Sequence, residues 1–339
     1  MPLNADTLID TAQALMAPGK GILAMDESLG TCNRRFAQVG IDPTEENRRR
    51  YRELLVTTPG LAAHISGAIL FEETLYQHTA GGVAFPKVLK DAGIVVGIKV
   101  DAGAQPLAAF PGERITEGLD GLRERLKAYA AQGARFAKWR AVLTITEQLP
   151  SGFAIHANAQ ALARYAALCQ EAGIVPIVEP EILMDGDHSL ARCQAVTSEV
   201  LQHVFEQLHQ HRILLEGMIL KPNMVLPGQD SAVTAPLEAV AQATVDCFRR
   251  KVPAAVAGIA FLSGGQSSTL ATAHLNAMHQ GAPLPWPLTF SYGRALQDDA
   301  LHLWAGDDNQ VEAAQRALVQ RARCNGAAAQ GHYHPSMEQ

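Results

Sequence analysis

Lys221 is the residue whose neighbours best suit it to act as a nucleophile. It follows the apolar run 218–220 and precedes Pro222. Because a buried ammonium without a partner is costly, such a lysine tends to lose its proton, and a neutral amine can attack a ketone to form an iminium. A second cation would favour the neutral form, and Lys138 is a candidate. The alternative is a lysine whose stem packs while its amine reaches solvent.

Two carboxylates, Asp26 and Glu179, could supply the acid and the base that iminium chemistry needs. An acid removes the carbinolamine hydroxyl as water, and a base takes a hydroxyl proton when the neighbouring carbon–carbon bond breaks. Either residue could serve in either role. Both could instead be structural ion-pair partners of nearby basic residues, and the same alternative holds for Asp101 and Glu181.

Two glycine-containing loops favour anion binding. Glycines let backbone N–H groups approach a phosphate, and a following helix N-terminus favours negative charge. An arginine can add a bidentate contact. The residues of this predicted phosphate site are Ser263, Gly264, Gly265, Ser291, Gly293 and Arg294.

A second basic group could hold another phosphate. It consists of Arg34, Arg35 and Lys99. For the two arginines the alternative is a solvated helix face, and we expect the run 48–50 to lie at the surface. The histidines lack the spacing of metal ligands, so we predict neither a metal nor a cofactor.

Eight apolar runs that end in polar residues must position these side chains. Such near-continuous runs are typical of strands buried on both faces, and the stretches between them are long enough for one helix each. We therefore predict an α/β fold, a (β/α)8 TIM barrel, with a doubly wound open sheet as the alternative. The predicted strands lie within 20–27, 64–73, 94–101, 134–143, 174–183, 216–225, 256–265 and 288–294.

The carboxyl ends of barrel strands carry the active site in enzymes of this fold. Because strand side chains alternate, Lys138 and Arg140 point the same way, as do Lys99 and Asp101. Each pair can therefore share one site. Between strands, the sequence from Asp42 predicts a helix start with Asp42 as N-cap.

The whole-chain properties bound the class of protein. The chain has 339 residues, 47% of them hydrophobic, and a net charge of −6, which gives no reason to expect a nucleic acid or membrane partner. We predict one barrel domain over 1–324, with an N-terminal helical extension, and a flexible C-terminal tail over 325–339. Five widely spaced cysteines, no secretory signal and no long apolar run favour the cytoplasm.

Eight segments of the chain resemble the class I fructose-bisphosphate aldolases. They are LAMDES, TEENRR, GIKVD, FAKWR, PIVEPEIL, LKPNMV, FLSGGQS and TFSYGRALQ, in that order from about Asp10 to about Leu303. The resemblance implies a cofactor-free glycolytic lyase that cleaves fructose 1,6-bisphosphate to dihydroxyacetone phosphate and glyceraldehyde 3-phosphate. It also implies a homotetramer with sugar phosphates as its small-molecule partners.

The resemblance assigns roles residue by residue. Lys221 would form the Schiff base, Glu179 and Asp26 would share the proton transfers, and Lys138 would assist as a cation. Arg140 and Lys99 would contact substrate oxygens and the 6-phosphate, and the two glycine loops would hold the 1-phosphate. The remaining predicted substrate contacts are Ser28, Arg34, Arg35 and Glu181.

The chain also departs from the family pattern. Leu29 stands where many members have threonine, and Arg34 where lysine is common. The chain does not end in the tyrosine that many members use to exchange a substrate proton, and that role is not carried over to Tyr333. The alternatives are another Schiff-base aldolase or transaldolase, and a non-catalytic barrel scaffold.

Overall fold

The computed structural model describes residues 5–339, and the first four residues of the predicted barrel domain lie outside this range. Eight parallel strands form the central sheet, and a two-stranded antiparallel hairpin, β4 and β5, projects beyond it. The strands are β1 (Gly21–Met25), β2 (Ile65–Leu70), β3 (Val95–Lys99), β4 (Gly103–Pro106), β5 (Arg114–Glu117), β6 (Phe136–Leu143), β7 (Val175–Ile182), β8 (Ile219–Leu220), β9 (Gly258–Phe261) and β10 (Leu288–Phe290).

Helices alternate with these strands, so the predicted (β/α)8 barrel is confirmed. The sheet order is β1-β2-β3-β6-β7-β8-β9-β10, and the Ala24 N–H donates to the Tyr292 carbonyl (3.1 Å) between the first strand and the end of the last. The helices are α1 (Ala5–Leu15), α2 (Leu29–Gln38), α3 (Glu45–Val56), α4 (Glu72–Leu75), α5 (Phe85–Asp91), α6 (Leu122–Ala131), α7 (Gly152–Glu171), α8 (Leu190–Gln210), α9 (Leu237–Lys251), α10 (Ser268–Met278), α11 (Arg294–Trp304) and α12 (Val311–Ala328).

The inside of the barrel is apolar at the end where the strands begin. Phe136 fills this end, and its ring lies so close to Gly97 that a Cβ atom there would collide with it. Helix α1, the predicted N-terminal extension, closes the same end by packing Leu8 and Leu15 against the interior cluster. The larger apolar cluster fills the space between strands and outer helices.

Two local predictions are wrong. The N-cap of α3 is Thr44, whose hydroxyl accepts from the Asn47 N–H (3.1 Å), because Asp42 lies too far upstream to reach the first turn. The run 48–50 is not all surface: Arg48 is buried and makes a bidentate ion pair with Glu73.

The C-terminal segment packs against the barrel. The predicted tail boundary at Asn325 falls inside α12, which continues to Ala328 because Asn325 is buried and accepts a hydrogen bond from Thr272. Beyond the helix, Glu338 pairs with Arg321 (2.6 Å). The flexibility of the segment and the domain boundary at 324 stay predictions.

Candidate active site

A cavity of about 880 Å³ opens where the barrel strands end, a size suited to a small-molecule ligand. Every predicted site residue lines it. These residues are Asp26, Ser28, Arg34, Arg35, Lys99, Lys138, Arg140, Glu179, Glu181, Lys221, Ser263, Gly264, Gly265, Ser291, Gly293 and Arg294.

The period of two along each strand explains how the central side chains reach this cavity. Each lies two positions beyond an apolar residue of the interior cluster, so it points inward from the next layer. The apolar residues are Ala24, Phe136, Ile177 and Ile219. The polar residues above them are Asp26, Lys138, Glu179 and Lys221.

The four central side chains form one continuous network of ion pairs. The Lys138 Nζ lies 2.8 Å from Asp26 Oδ2 and 3.2 Å from Glu179 Oε2. The other carboxylate oxygen of Glu179 lies 3.2 Å from the Lys221 Nζ. Side-chain exposure is 4% for both Lys221 and Glu179, so the amine does not reach solvent, and that alternative is wrong. Lys221 is also not unpaired, because Glu179 faces it.

The charges in this ion-pair network favour an ionised Asp26 and a protonated Lys138. Burial by itself raises the pKa of Asp26, but the positive charges of Lys138 and Lys221 outweigh it and lower that pKa to about 2. Burial by itself lowers the pKa of Lys138, but Asp26 and Glu179 outweigh it and raise that pKa well above the ordinary value. The site therefore holds an ammonium group beside a carboxylate.

A second group of ion pairs lies at the end of β3 and further along β6 and β7. The Lys99 Nζ is 2.6 Å from Asp101 Oδ1, and Arg140 pairs with Glu181. Asp101 also accepts hydrogen bonds from the backbone N–H groups of Gly103 (3.1 Å) and Arg140 (3.3 Å). Asp101 thus connects β3, the hairpin and β6 at the cavity wall, which supports its structural interpretation.

The loops after β9 and β10 converge on one side of the cavity. Gly264 and Gly265 have φ angles of 59° and 83°, a region that favours glycine. Arg294 begins α11, so the N-terminus of that helix faces the same region. The Ser291 hydroxyl is buried and has no hydrogen-bond partner within residues 5–339. An anion placed here would meet donors that the protein itself leaves unused.

The cavity lining also contains Arg34 and Arg35, which differ in their surroundings. Arg34 contacts Thr31 (3.1 Å) and is exposed toward the cavity. Arg35 is buried and pairs with Glu27 and with Asp298 (2.9 Å), so the solvated-face alternative is wrong for Arg35. Its two carboxylate partners support a structural role, and Arg34 is the freer cation.

Two further cavity residues have no recognisable signal in the sequence. Tyr129 and Arg125 come from α6, which has the pattern of an ordinary amphipathic helix. The Tyr129 hydroxyl donates to Glu72 (2.9 Å), and Arg125 donates to the Val100 carbonyl (2.9 Å). Only the folding of α6 over the end of β3 brings them to the cavity.

No group of three or more His, Cys, Asp or Glu side chains within residues 5–339 is arranged to hold a metal ion. In the same part of the chain, none of the helices is long and apolar enough to cross a bilayer.

The fold and the site together define a (β/α)8-barrel enzyme for a small phosphorylated substrate. Comparison with known proteins is more specific. The family model described as "Fructose-bisphosphate aldolase class-I" matches residues 7–339.

Individual relatives match over nearly their whole length. A "Probable fructose-bisphosphate aldolase class 1" of Xanthomonas campestris pv. campestris is 57% identical, over 98% of this chain and 99% of that protein. The muscle-type fructose-bisphosphate aldolase of Lethenteron camtschaticum is 53% identical, over 99% of this chain and 93% of that protein. A solved structure, the fructose-bisphosphate aldolase of Plasmodium falciparum in complex with TRAP and a small-molecule inhibitor, superposes with a TM-score of 0.96. It is 48% identical in sequence, and the match covers 97% of this chain and 96% of that one.

The chain therefore belongs to the class I fructose-bisphosphate aldolase family and is a carbon–carbon lyase. The family resemblance drawn from the eight segments is confirmed.

Proposed function

We propose that this chain cleaves fructose 1,6-bisphosphate reversibly through a Schiff base on Lys221. The observation that carries the proposal is the contact between the buried Lys221 amine and Glu179, 3.2 Å apart. Proton transfer from the ammonium to this carboxylate would produce a neutral amine and a neutral acid side by side. The amine can then attack the C2 ketone, and the acid can protonate the departing hydroxyl of the carbinolamine.

The remaining steps divide the two carboxylates. Asp26, whose pKa is lowered to about 2, is ionised, so it can orient the C4 hydroxyl or accept its proton but has no proton to give as an acid. When that hydroxyl loses its proton, the C3–C4 bond breaks and its electron pair forms the enamine, while C4 becomes the aldehyde of glyceraldehyde 3-phosphate. Protonation at C3 and addition of water at C2 then release dihydroxyacetone phosphate and restore Lys221.

Lys138 has an electrostatic role in this proposal. Its ammonium lies between Asp26 and Glu179 and remains charged, so it stabilises negative charge on either carboxylate during proton transfer. The Ser291 hydroxyl, which is buried without a hydrogen-bond partner among residues 5–339, supports a site for the 1-phosphate together with the 263–265 turn and Arg294. Lys99, Arg34 and Ser28, which line the same cavity, support a site for the 6-phosphate.

Borohydride trapping tests the nucleophile directly. Reduction in the presence of fructose 1,6-bisphosphate or dihydroxyacetone phosphate should attach one ligand irreversibly, and mass spectrometry of peptides should locate it on Lys221. Lys221→Met should abolish trapping, while Lys87→Met, at an exposed lysine on α5, should trap normally. Trapping on another lysine would identify a different nucleophile. Trapping only with a keto acid would indicate another kind of Schiff-base aldolase. No turnover under any condition would favour a scaffold.

We also propose a cytoplasmic homotetramer. All five cysteines are buried and unpaired, which fits a reducing compartment, and the relative from Arabidopsis thaliana at 54% identity is described as cytosolic. The tetramer rests on the family resemblance. Light scattering of the purified protein should give four times the mass of one chain, and a monomer at micromolar concentration would contradict it.

A further inference from the structure

A buried histidine on the helix behind the phosphate-binding turn has no role in the chemistry described above. His274 lies on the inner face of α10, the helix that follows the turn, and is only 3% exposed. Its Nδ1 atom is 2.6 Å from the Gln266 Oε1. Since an amide oxygen can only accept, Nδ1 carries the hydrogen. Its Nε2 atom is buried and has no hydrogen-bond partner within residues 5–339.

Gln266 transmits this contact to the turn. Its side-chain amide donates to the Ser263 carbonyl (2.9 Å), and its backbone N–H donates to the same oxygen (3.1 Å). These two hydrogen bonds close the turn over Gly264 and Gly265. Because the Ser263 carbonyl and the Gly264 N–H belong to the same planar peptide unit, fixing the carbonyl also fixes the direction of that N–H.

We propose that His274 is a positioning residue for the phosphate-binding turn. Its Nδ1–H holds the Gln266 side chain in the one orientation that lets the amide donate to Ser263, and the turn is thereby ordered before the ligand arrives. A donor at this position lowers the ordering cost of binding, so it increases affinity for the phosphate end of the substrate. The inference rests on the proposed function, because it takes the turn as the site of the 1-phosphate.

Burial supports a neutral donor under ordinary conditions. It lowers the pKa of His274 to about 4, so the imidazole stays uncharged at neutral pH. The Gln266 amide can also contact the Met224 sulfur (3.5 Å), a weak acceptor. Within residues 5–339, no other group donates a hydrogen bond to the Gln266 side-chain carbonyl. Without the histidine, the side chain could therefore rotate away from Ser263.

The test compares dissociation constants for dihydroxyacetone phosphate, the ligand that carries only the 1-phosphate. His274→Leu removes the donor and should weaken binding about tenfold, as the loss of one buried hydrogen bond implies. The KM for fructose 1,6-bisphosphate should rise by a similar factor, while kcat changes less than threefold. His274→Asn retains an N–H donor near the same place and should recover most of the affinity.

Two further variants complete the test. His279→Ala, at the C-cap of the same helix and away from the turn, should bind dihydroxyacetone phosphate as the unchanged protein does. Gln266→Met removes the hydrogen bonds to Ser263 and from His274 at similar volume, so it should reproduce the loss of affinity. The double variant of His274→Leu and Gln266→Met should bind no more weakly than Gln266→Met by itself.

Three outcomes would overturn the inference. The first is unchanged affinity for dihydroxyacetone phosphate in folded His274→Leu. The second is unchanged affinity in Gln266→Met, which decides the matter if His274→Leu does not fold. The third is full additivity of the two losses of binding free energy in the double variant. Failure of the proposed function has a different signature. In that case the unchanged protein itself would not be trapped by borohydride with dihydroxyacetone phosphate.

Discussion

The two ends of the barrel are made of the same strands but are stabilised by different forces. At the end where the strands begin, Phe136, Ile177 and Ile219 pack with helix α1 into an apolar cluster. One layer further along the same strands, Lys138 and Glu179 replace hydrocarbon with buried charge. The apolar end loses free energy of unfolding when it is truncated, whereas the charged end must hold its groups in place for chemistry.

This comparison teaches that stability and activity can be altered separately along one strand. A substitution in the apolar layer should change the free energy of unfolding more than turnover per folded molecule. A substitution in the charged layer should do the reverse. The experiments below test this difference, in order of decreasing expected effect.

Glu179→Gln should reduce kcat by about 10³-fold, because it removes the acid beside Lys221 while retaining the shape of the side chain. Steady-state kinetics measure the loss. Affinity for inorganic phosphate should stay within a few-fold, since the Glu179 carboxylate pairs with Lys138 and Lys221 and carries no predicted phosphate contact. Glu171→Gln, at an exposed surface ion pair, is the matched control. Near-normal turnover in Glu179→Gln would exclude this residue as the acid.

Phe136→Ala should destabilise the protein by about 3–5 kcal/mol, because it leaves a large cavity in the apolar layer. Urea unfolding measures the change, and Val233→Ala, at a residue 74% exposed, should change stability little. The kcat per folded molecule should stay within a few-fold of the original. A large loss of turnover in the folded fraction would mean that the two layers are coupled.

Asp26 should make stability depend on pH in the acid range. Its pKa is about 2 in the folded state and 3.8 in the reference state, so the folded protein binds the proton less readily, and stability falls as pH decreases. The contribution should shrink by about 1 kcal/mol between pH 5 and pH 3. Denaturant unfolding of the unchanged protein and Asp26→Asn should therefore converge by that amount. A difference between the two that does not vary with pH would contradict the lowered pKa.

Tyr333→Phe should have the smallest effect. Its hydroxyl donates to Glu338 (2.9 Å), and its backbone N–H donates to Asn276 at the end of α10, on the side of the barrel opposite the cavity. Loss of the hydroxyl should cost about 1 kcal/mol of unfolding free energy, with kcat unchanged. Thermal unfolding and kinetics check both parts. A marked fall in kcat would mean that the tail leaves this position in solution and reaches the active site.

Most of the barrel could be predicted because its strands are buried on both faces. A continuous apolar run indicates such a strand whichever strands pair with it in the sheet. The predicted site residues could also be placed at one cavity, since parallel strands end at the same face. The roles of Arg35 and Arg48 could not be predicted. Each is buried by a carboxylate partner, Asp298 or Glu73, that lies far away in the sequence.

The amino-acid sequence by itself determined the strand periodicity, the polar groups at the strand ends and the segments typical of the family. These are local properties, because each depends on residues adjacent along the chain. Only the tertiary structure decided that Glu179 lies between Lys138 and Lys221, that α6 contributes Tyr129 to the cavity, and that the C-terminal segment packs at the opposite end. Those contacts depend on how strands and helices from distant parts of the chain come together when the barrel closes.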